Sequence, residues 1–183
     1  LNEMVYPAPG SPDLAEKGLQ LLHKKDSGPS MDWGLDHGTW SVLARLFPKA
    51  DVPVVQLSLA RTRDGQLHYD MGKQLLPLRD EGVLIMGSGN IVHNLRMMRF
   101  DNKPFDWNVE FDGKIKNWID SGNHDPMIHF QDQGPAAAYS INSGEHFLPL
   151  LYILSQQTQQ DDLRYFCEVT SYGSLSMRCV QFG

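Results

Sequence analysis

Apolar positions recur along this chain in two rhythms, one of helical period and one of strand period, and together they predict alternating helices and strands. Leu14, Gly18, Leu21 and Leu22 trace one face of a helix that Ser11 or Asp13 can cap, with Pro12 in its first turn and its end near Lys25. Residues 39–47 repeat that spacing with Val42, Leu43 and Leu46. The β-branched run at 52–59 predicts a central strand, and 64–79 a helix with Leu67, Met71, Leu75 and Leu78 on its buried side. Gly82-Val-Leu-Ile-Met86 follows as a short buried strand. Helix, strand, helix, strand in this order predicts at least one crossover unit. Beyond Asn94 the pattern predicts helices over 108–119, within 124–139 and over 145–154. Residues 164–170 and 174–182 alternate polar and apolar side chains and predict two strands joined by a turn at Ser171-Tyr-Gly173. The expected fold class is α/β: a mixed, largely parallel central sheet flanked by helices.

Length and charge narrow the function. A chain of 183 residues suits a single domain, 1–183, with a sizeable core. Its formal charge of -6 argues against nucleic acid as a partner, because phosphate binding needs clustered Lys and Arg and the longest basic run is His23-Lys24-Lys25. No apolar stretch approaches the ~20 residues of a membrane span, and the N-terminus has no signal-like pattern. Cys167 and Cys179 both fall on predicted strands; with no other mark of a secreted scaffold, reduced thiols and a cytoplasmic location are expected. The chain opens Leu1-Asn-Glu-Met-Val-Tyr6, without an initiating methionine, which suggests the continuation of a longer protein.

Two histidines carry most of the chemical information. His93 ends Gly87-Ser-Gly-Asn-Ile-Val-His93 and follows an apolar strand, so it is expected at the mouth of a sheet, where open α/β folds place ligands. His146, in Ser143-Gly-Glu-His146-Phe-Leu-Pro, starts an apolar helical stretch and can turn toward the same mouth. Imidazole is the commonest protein metal ligand and the natural proton shuttle near neutral pH, so two such groups on separate elements point to a metal-assisted enzyme. Glu145 adjoins His146, but helical neighbours point ~100° apart, so only one of the two faces a metal. His37, in Asp36-His37-Gly38, is either a group oriented by its aspartate or a structural cap for the helix that follows. Asn90 and Asn94 can hydrogen-bond a ring nitrogen or a substrate oxygen, and Trp33 can line an aromatic pocket. His23 and His68 are expected to be surface groups. His124 and His129, five apart, do not share a helical face, although His124 can still approach a site as an accessory group. Recognised metalloprotease, P-loop, dinucleotide-binding and nucleophile-elbow patterns are absent.

These motifs resemble the class III extradiol ring-cleavage dioxygenases, in the branch called DOPA 4,5-dioxygenases. The resemblance rests on Tyr6-Pro-Ala-Pro-Gly-Ser-Pro12, Gly34-Leu-Asp-His37-Gly-Thr-Trp40, Val54-Val-Gln-Leu-Ser58, Ser88-Gly-Asn-Ile-Val-His93-Asn-Leu95, Glu145-His-Phe-Leu-Pro-Leu-Leu151 and the closing segment from Gly173 to Gly183. It implies a catalytic-subunit fold with a mononuclear metal at strand ends, Fe(II) for catalysis and Zn(II) as a metal found bound. The implied partners are a small-molecule catechol and O2, with neither nucleic acid nor membrane. By resemblance His93 matches a metal-proximal or acid–base histidine, His146 a metal ligand, and His37 a pocket histidine that contacts substrate or oxygen. Asn90 and Trp33 are the accompanying substrate-contact candidates. The family also carries Gly-His-Gly-Ser-Pro and His-Trp motifs, each with a further metal-binding histidine, and neither occurs here. The chain therefore resembles the family without its N-terminal third. These 183 residues alone are expected not to cleave a ring, because two histidines make a weak, open iron site. Two other readings use the same residues: a metal- or ligand-binding protein without catalysis, and a zinc hydrolase with Glu145 as general base.

Overall fold

A computed structural model describes residues 5–22, 28–101 and 103–183, and these fall into two compact units, 1–58 and 59–183. The basic run at His23-Lys24-Lys25, and the expected helix end at Lys25, lie outside the described residues.

In the first unit, α1 (Pro12–Leu22) starts where expected. The Ser11 hydroxyl accepts from the Leu14 N–H at 3.4 Å, and Pro12 occupies the first turn, where a missing N–H costs nothing. α2 (His37–Leu46) is capped by Asp36, whose carboxylate accepts from the Thr39 N–H at 2.8 Å. Gln56 braces that cap from the following segment: its Oε1 accepts from the Asp36 N–H at 3.0 Å and the Thr39 hydroxyl at 2.9 Å. The run at 52–58 is extended but belongs to no ladder, and the Val54 N–H donates to Pro9 O at 2.9 Å instead.

The second unit holds the core. The expected helix at 64–79 is two: α3 (Gly65–Gln74), capped by Asp64, and α4 (Pro77–Asp80). Pro77 divides them, since its ring cannot donate to the preceding turn. α5 (Asp106–Asp120) buries Asn108, Phe111, Ile115 and Ile119, one side chain per turn on a single face. The expected helix within 124–139 is α6 (Asp125–Ile128), a 3-10 turn at Phe130–Asp132 and α7 (Gly134–Ser140). Pro126, Pro135 and the positive φ of Gly134 (81°) impose these breaks. α8 (Leu148–Leu154) starts two residues after His146, because Pro149 belongs in a first turn. Phe111, Ile115, Phe147, Leu151 and Leu154 from α5 and the α8 region form the centre of the core with Val92.

Every strand pair among the described residues is antiparallel. β1 (Leu163–Phe166) pairs with β4 (Cys179–Phe182), and β2 (Thr170–Ser171) with β3 (Leu175–Ser176). The two predicted strands are thus one interrupted hairpin. Residues 167–169 oppose 177–178, so the first arm carries one extra residue, and Cys167 takes a positive φ of 54° there, as in a β-bulge. Both cysteines are free thiols, Cys167 exposed and Cys179 half-buried. The chain is therefore a mixed helix–strand protein of α/β type, but the expected parallel ladder is not formed by the described residues. Residues 83–86 are extended without ladder partners, and Leu84 is 67% exposed. Apolar side chains with no neighbouring strand to cover them stay in solvent. Mixed pairing appears only in two isolated bridges at His93, parallel to Ile141 and antiparallel to Leu175.

Candidate functional site

His93 is fixed by its backbone. Its N–H donates to Ser140 O at 3.0 Å, the next N–H, of Asn94, donates to Ser174 O at 3.2 Å, and Val92 O accepts from Ser176 at 3.0 Å. Ile91 and Val92 are buried just before it, so the segment is anchored on one side and the imidazole emerges on the other. Asn94 is buried and its amide donates to Tyr139 O at 2.8 Å, fixing the chain where it leaves the bridge.

His146 arrives through glycine packing. A Cβ on Gly89 would lie 2.1 Å from His146 O, and one on Gly87 2.7 Å from Pro149 O, so only a bare backbone can lie this close to the start of α8. The Asn90 N–H then donates to His146 O at 2.9 Å. The outcome is two stacked imidazoles, His93 and His146, with ring centroids 3.5 Å apart and planes 19° from parallel. They line a cavity of about 350 Å³ together with Leu95, Arg96, Asn142, Ser143 and Glu145.

Charge in the cavity follows from this packing. Burial, then repulsion from His146, lowers the His93 pKa below the ordinary imidazole value, with Glu145 opposing. Its own backbone N–H and the Ser143 hydroxyl, donating at 2.8 Å, hold the Glu145 carboxyl below the usual carboxylate range. The lowered pKa of His93 favours its neutral, ligating form. Neutral imidazole nitrogen is a donor that divalent iron and zinc both accept. His93 and His146 thus fit a metal as two of its donors; among the described residues no third His, Cys, Asp or Glu completes a cluster of three.

The remaining sequence candidates divide. Asn90 is used structurally: its side-chain amide donates to Ser176 O at 2.8 Å, so it joins β3 to the His146 backbone. His37 is the first residue of α2 and exposed, with no hydrogen bond among the described residues; the Asp36 carboxylate serves the Thr39 N–H and Gln56 rather than the His37 ring. Trp33, in the same unit, is 85% exposed. The roles of His37 and Trp33 rest on the family resemblance. His68, expected at the surface, is fully buried: Nε2–H donates to Thr62 O and Nδ1 accepts from Tyr152 O–H, both at 3.1 Å. His124 is held likewise, its Nδ1 accepting from Tyr69 O–H at 2.9 Å and its Nε2–H donating to Gln157 Oε1 at 2.8 Å. His129 is exposed beside Asp125 at 3.5 Å. Arg96 was absent from the sequence candidates, although its place three residues after His93 was the available signal.

A mixed helix–strand chain with two imidazoles stacked at a cavity is suited to non-haem metal chemistry, and comparison with known proteins gives it a family. Residues 1–172 match the catalytic LigB subunit of aromatic ring-opening dioxygenase. The chain is 39% identical to the 4,5-DOPA dioxygenase extradiol of Escherichia coli (strain K12), over 100% of its own length and 69% of that protein. The 4,5-DOPA dioxygenase extradiol of Mirabilis jalapa is 36% identical over 82% of this chain and 57% of its own. The crystal structure of the uncharacterized Escherichia coli K12 protein JW3007 matches with a TM-score of 0.90 and 36% identity, over 99% of this chain and 76% of that one. This chain belongs to the LigB family, in the class III extradiol branch of ring-opening dioxygenases. Membership brings extradiol cleavage of an aromatic substrate with O2 and dependence on a non-haem metal. No helix of the described residues is long and apolar enough to cross a membrane.

Proposed function

We propose that the protein opens the ring of a DOPA-like catechol at a mononuclear Fe(II) site to which His146 and His93 contribute two donors. The observation that carries this reading is the stack of these two imidazoles on the wall of one cavity. Fe(II) is favoured over Zn(II) because Zn(II) has no redox chemistry, whereas ring opening by O2 requires electron transfer. Bound there, the iron supplies that electron transfer. The chain's own residues supply position and protons. With one ring nitrogen on the metal, His93 would keep a single N–H, which can donate to the catechol oxygen nearest its ring. Asn90 ties the His146 backbone to β3, which bridges to the His93 segment, and so maintains the spacing of the two rings.

The family's central sheet supports a further proposal, that 52–59 and 83–86 serve as strands of a largely parallel sheet in one catalytic domain. The two free thiols accord with a reducing, cytoplasmic setting. The relatives named above extend beyond this chain, which spans 57% to 69% of the two DOPA dioxygenases, so activity is to be measured on the longest polypeptide its gene encodes.

The experiment is oxygen uptake with DOPA, alongside the absorbance of the coloured ring-opened product, for Fe(II)-loaded and Zn(II)-loaded protein. One O2 consumed per catechol, with Fe(II) only, is the expected result. No uptake by protein with verified bound Fe(II), across a panel of catechols, overturns it.

A further inference from the structure

We propose that Arg96 and Glu145 form a zwitterion-reading pair in the His93–His146 cavity, Arg96 receiving a carboxylate and Glu145 an ammonium. These two side chains would then carry the site's preference for a catechol whose side chain bears both charges. This rests on reading the cavity as the catechol site.

Arg96 lies in the 3-10 turn Leu95–Met97, directly after the buried Asn94. That turn starts from a fixed point, because Asn94 is bonded to Tyr139 O through its side chain and to Ser174 O through its backbone. Apart from Arg61, the other arginines of this unit are held by the protein. Arg63 donates to Ile141 O, Arg79 pairs with Asp161, Arg99 with Asp101 and Arg178 with Asp112. Arg96 has no ion pair or hydrogen bond among the described residues, and it is the one lining residue of this cavity with a permanent positive charge. A guanidinium left free in a cavity is a fork shaped for a carboxylate.

Glu145 lines the same cavity beside His146. Ser143 donates to its Oε1 at 2.8 Å, which fixes the carboxylate and leaves Oε2 as an acceptor. No salt bridge joins Glu145 to Arg96 among the described residues. Opposite charges that share a cavity without pairing are complementary to a ligand that carries both. In a DOPA-like molecule the two hydroxyls and the amino-acid group lie at opposite ends of the ring. With the hydroxyls toward the imidazoles, the charged end is the part left for Arg96 and Glu145.

The test uses the longest natural polypeptide with Fe(II) and four probes: DOPA, dopamine, 3,4-dihydroxyphenylpropionate and 4-methylcatechol. Ratios of kcat/KM between probes on one protein cancel differences in iron loading. Wild type is expected to rank DOPA first and 4-methylcatechol last. Arg96→Met should lower the DOPA-to-dopamine ratio about tenfold, mainly through KM, with Arg96→Lys recovering part of it. Glu145→Gln should lower the ratio of DOPA to 3,4-dihydroxyphenylpropionate by about the same factor. Wild type that opens all four without preference, or variants with unaltered ratios, overturns the pair and leaves catechol cleavage standing. If no probe is opened, calorimetric titration of the same four decides. The same ranking and the same losses support the pair, equal binding overturns the pair alone, and absent binding overturns both it and the catechol reading.

Discussion

Two histidine neighbourhoods flank α8, and they differ in what their rings are bonded to. Between α3 and α8, His68 has a protein partner for each nitrogen, Thr62 O and Tyr152 O–H, and burial pushes the Tyr152 phenol up to about 12. Just before α8, the His146 ring makes no hydrogen bond among the described residues and stacks on His93 at a cavity. His68 is the more deeply buried of the two sites. Depth therefore does not separate the structural histidine from the functional one. What separates them is whether the ring nitrogens are already satisfied by the fold. A ring bonded at both nitrogens has nothing left to offer a ligand.

The sharpest way to break this contrast is to remove the rings. His146→Ala should lower bound iron at least about tenfold and take ring opening to background. His93→Ala should abolish turnover while retaining measurable iron. Equal iron in wild type and His146→Ala, by elemental analysis, would remove His146 from the ligand set. A smaller effect is expected on the other side of α8. His68→Leu leaves the half-buried Thr62 carbonyl without this donor and the Tyr152 hydroxyl with only the Met71 sulfur, which should cost about 1–3 kcal/mol of stability in denaturant melts. Iron content and substrate ratios should stay as in wild type; loss of iron at unchanged stability would reverse the assignment of the two neighbourhoods.

The smallest effect concerns pH. Arg79 first, then the Thr158 backbone, hold the Asp161 carboxyl down at about 2. A folded value below the ordinary one makes the charged form stabilising. That contribution is complete above the usual carboxylate range and is lost as pH falls from about 4 to about 2. Asp161→Asn should flatten this acid limb, read from urea midpoints between pH 2 and 6, with iron binding at pH 7 untouched. An unaltered limb would show that Asp161 does not carry it.

Much of this molecule was legible in its residues. Simple periodicity marked α2, α5 and α8, and the Ser11 cap was visible as a residue type; the residues suggest His37 as the α2 cap, whereas the structure uses Asp36. The meeting of His93 and His146 was legible because glycine-rich and apolar flanks pointed both toward one place. The burial of His68 was not, because the helix reads as polar; Met71, Leu75 and Leu78 are buried as expected, whereas His68 rather than Leu67 is buried in the first turns. The observed face is Gly65, His68, Met71 and Gly72. Its signal was the two glycines: a Cβ on Gly72 would meet Ser155 Oγ at 2.3 Å and Tyr152 Cα at 2.7 Å, so they mark the side of closest approach. The single interrupted hairpin was also hidden, since one extra residue at Cys167 leaves the alternation on either arm intact. Pairing direction at 52–59 and 83–86 was inferred from element order alone, and order does not form a ladder without a partner strand.

The bridges at His93 also have a consequence in time. The backbone that aims this ring is tied to residues 141 and 175, so its geometry exists only after distant stretches of chain have met. Closing loops of that length is slow compared with winding a helix. A ribosome must pass residue 176 before the last of these ties, from Ser176 to Val92, can form. Until then the growing polypeptide displays single imidazoles, which hold metal ions weakly, and no organised pair. The architecture thereby postpones metal capture until residue 176 has been made, when a finished cavity rather than a nascent strand meets the cell's pool of competing ions.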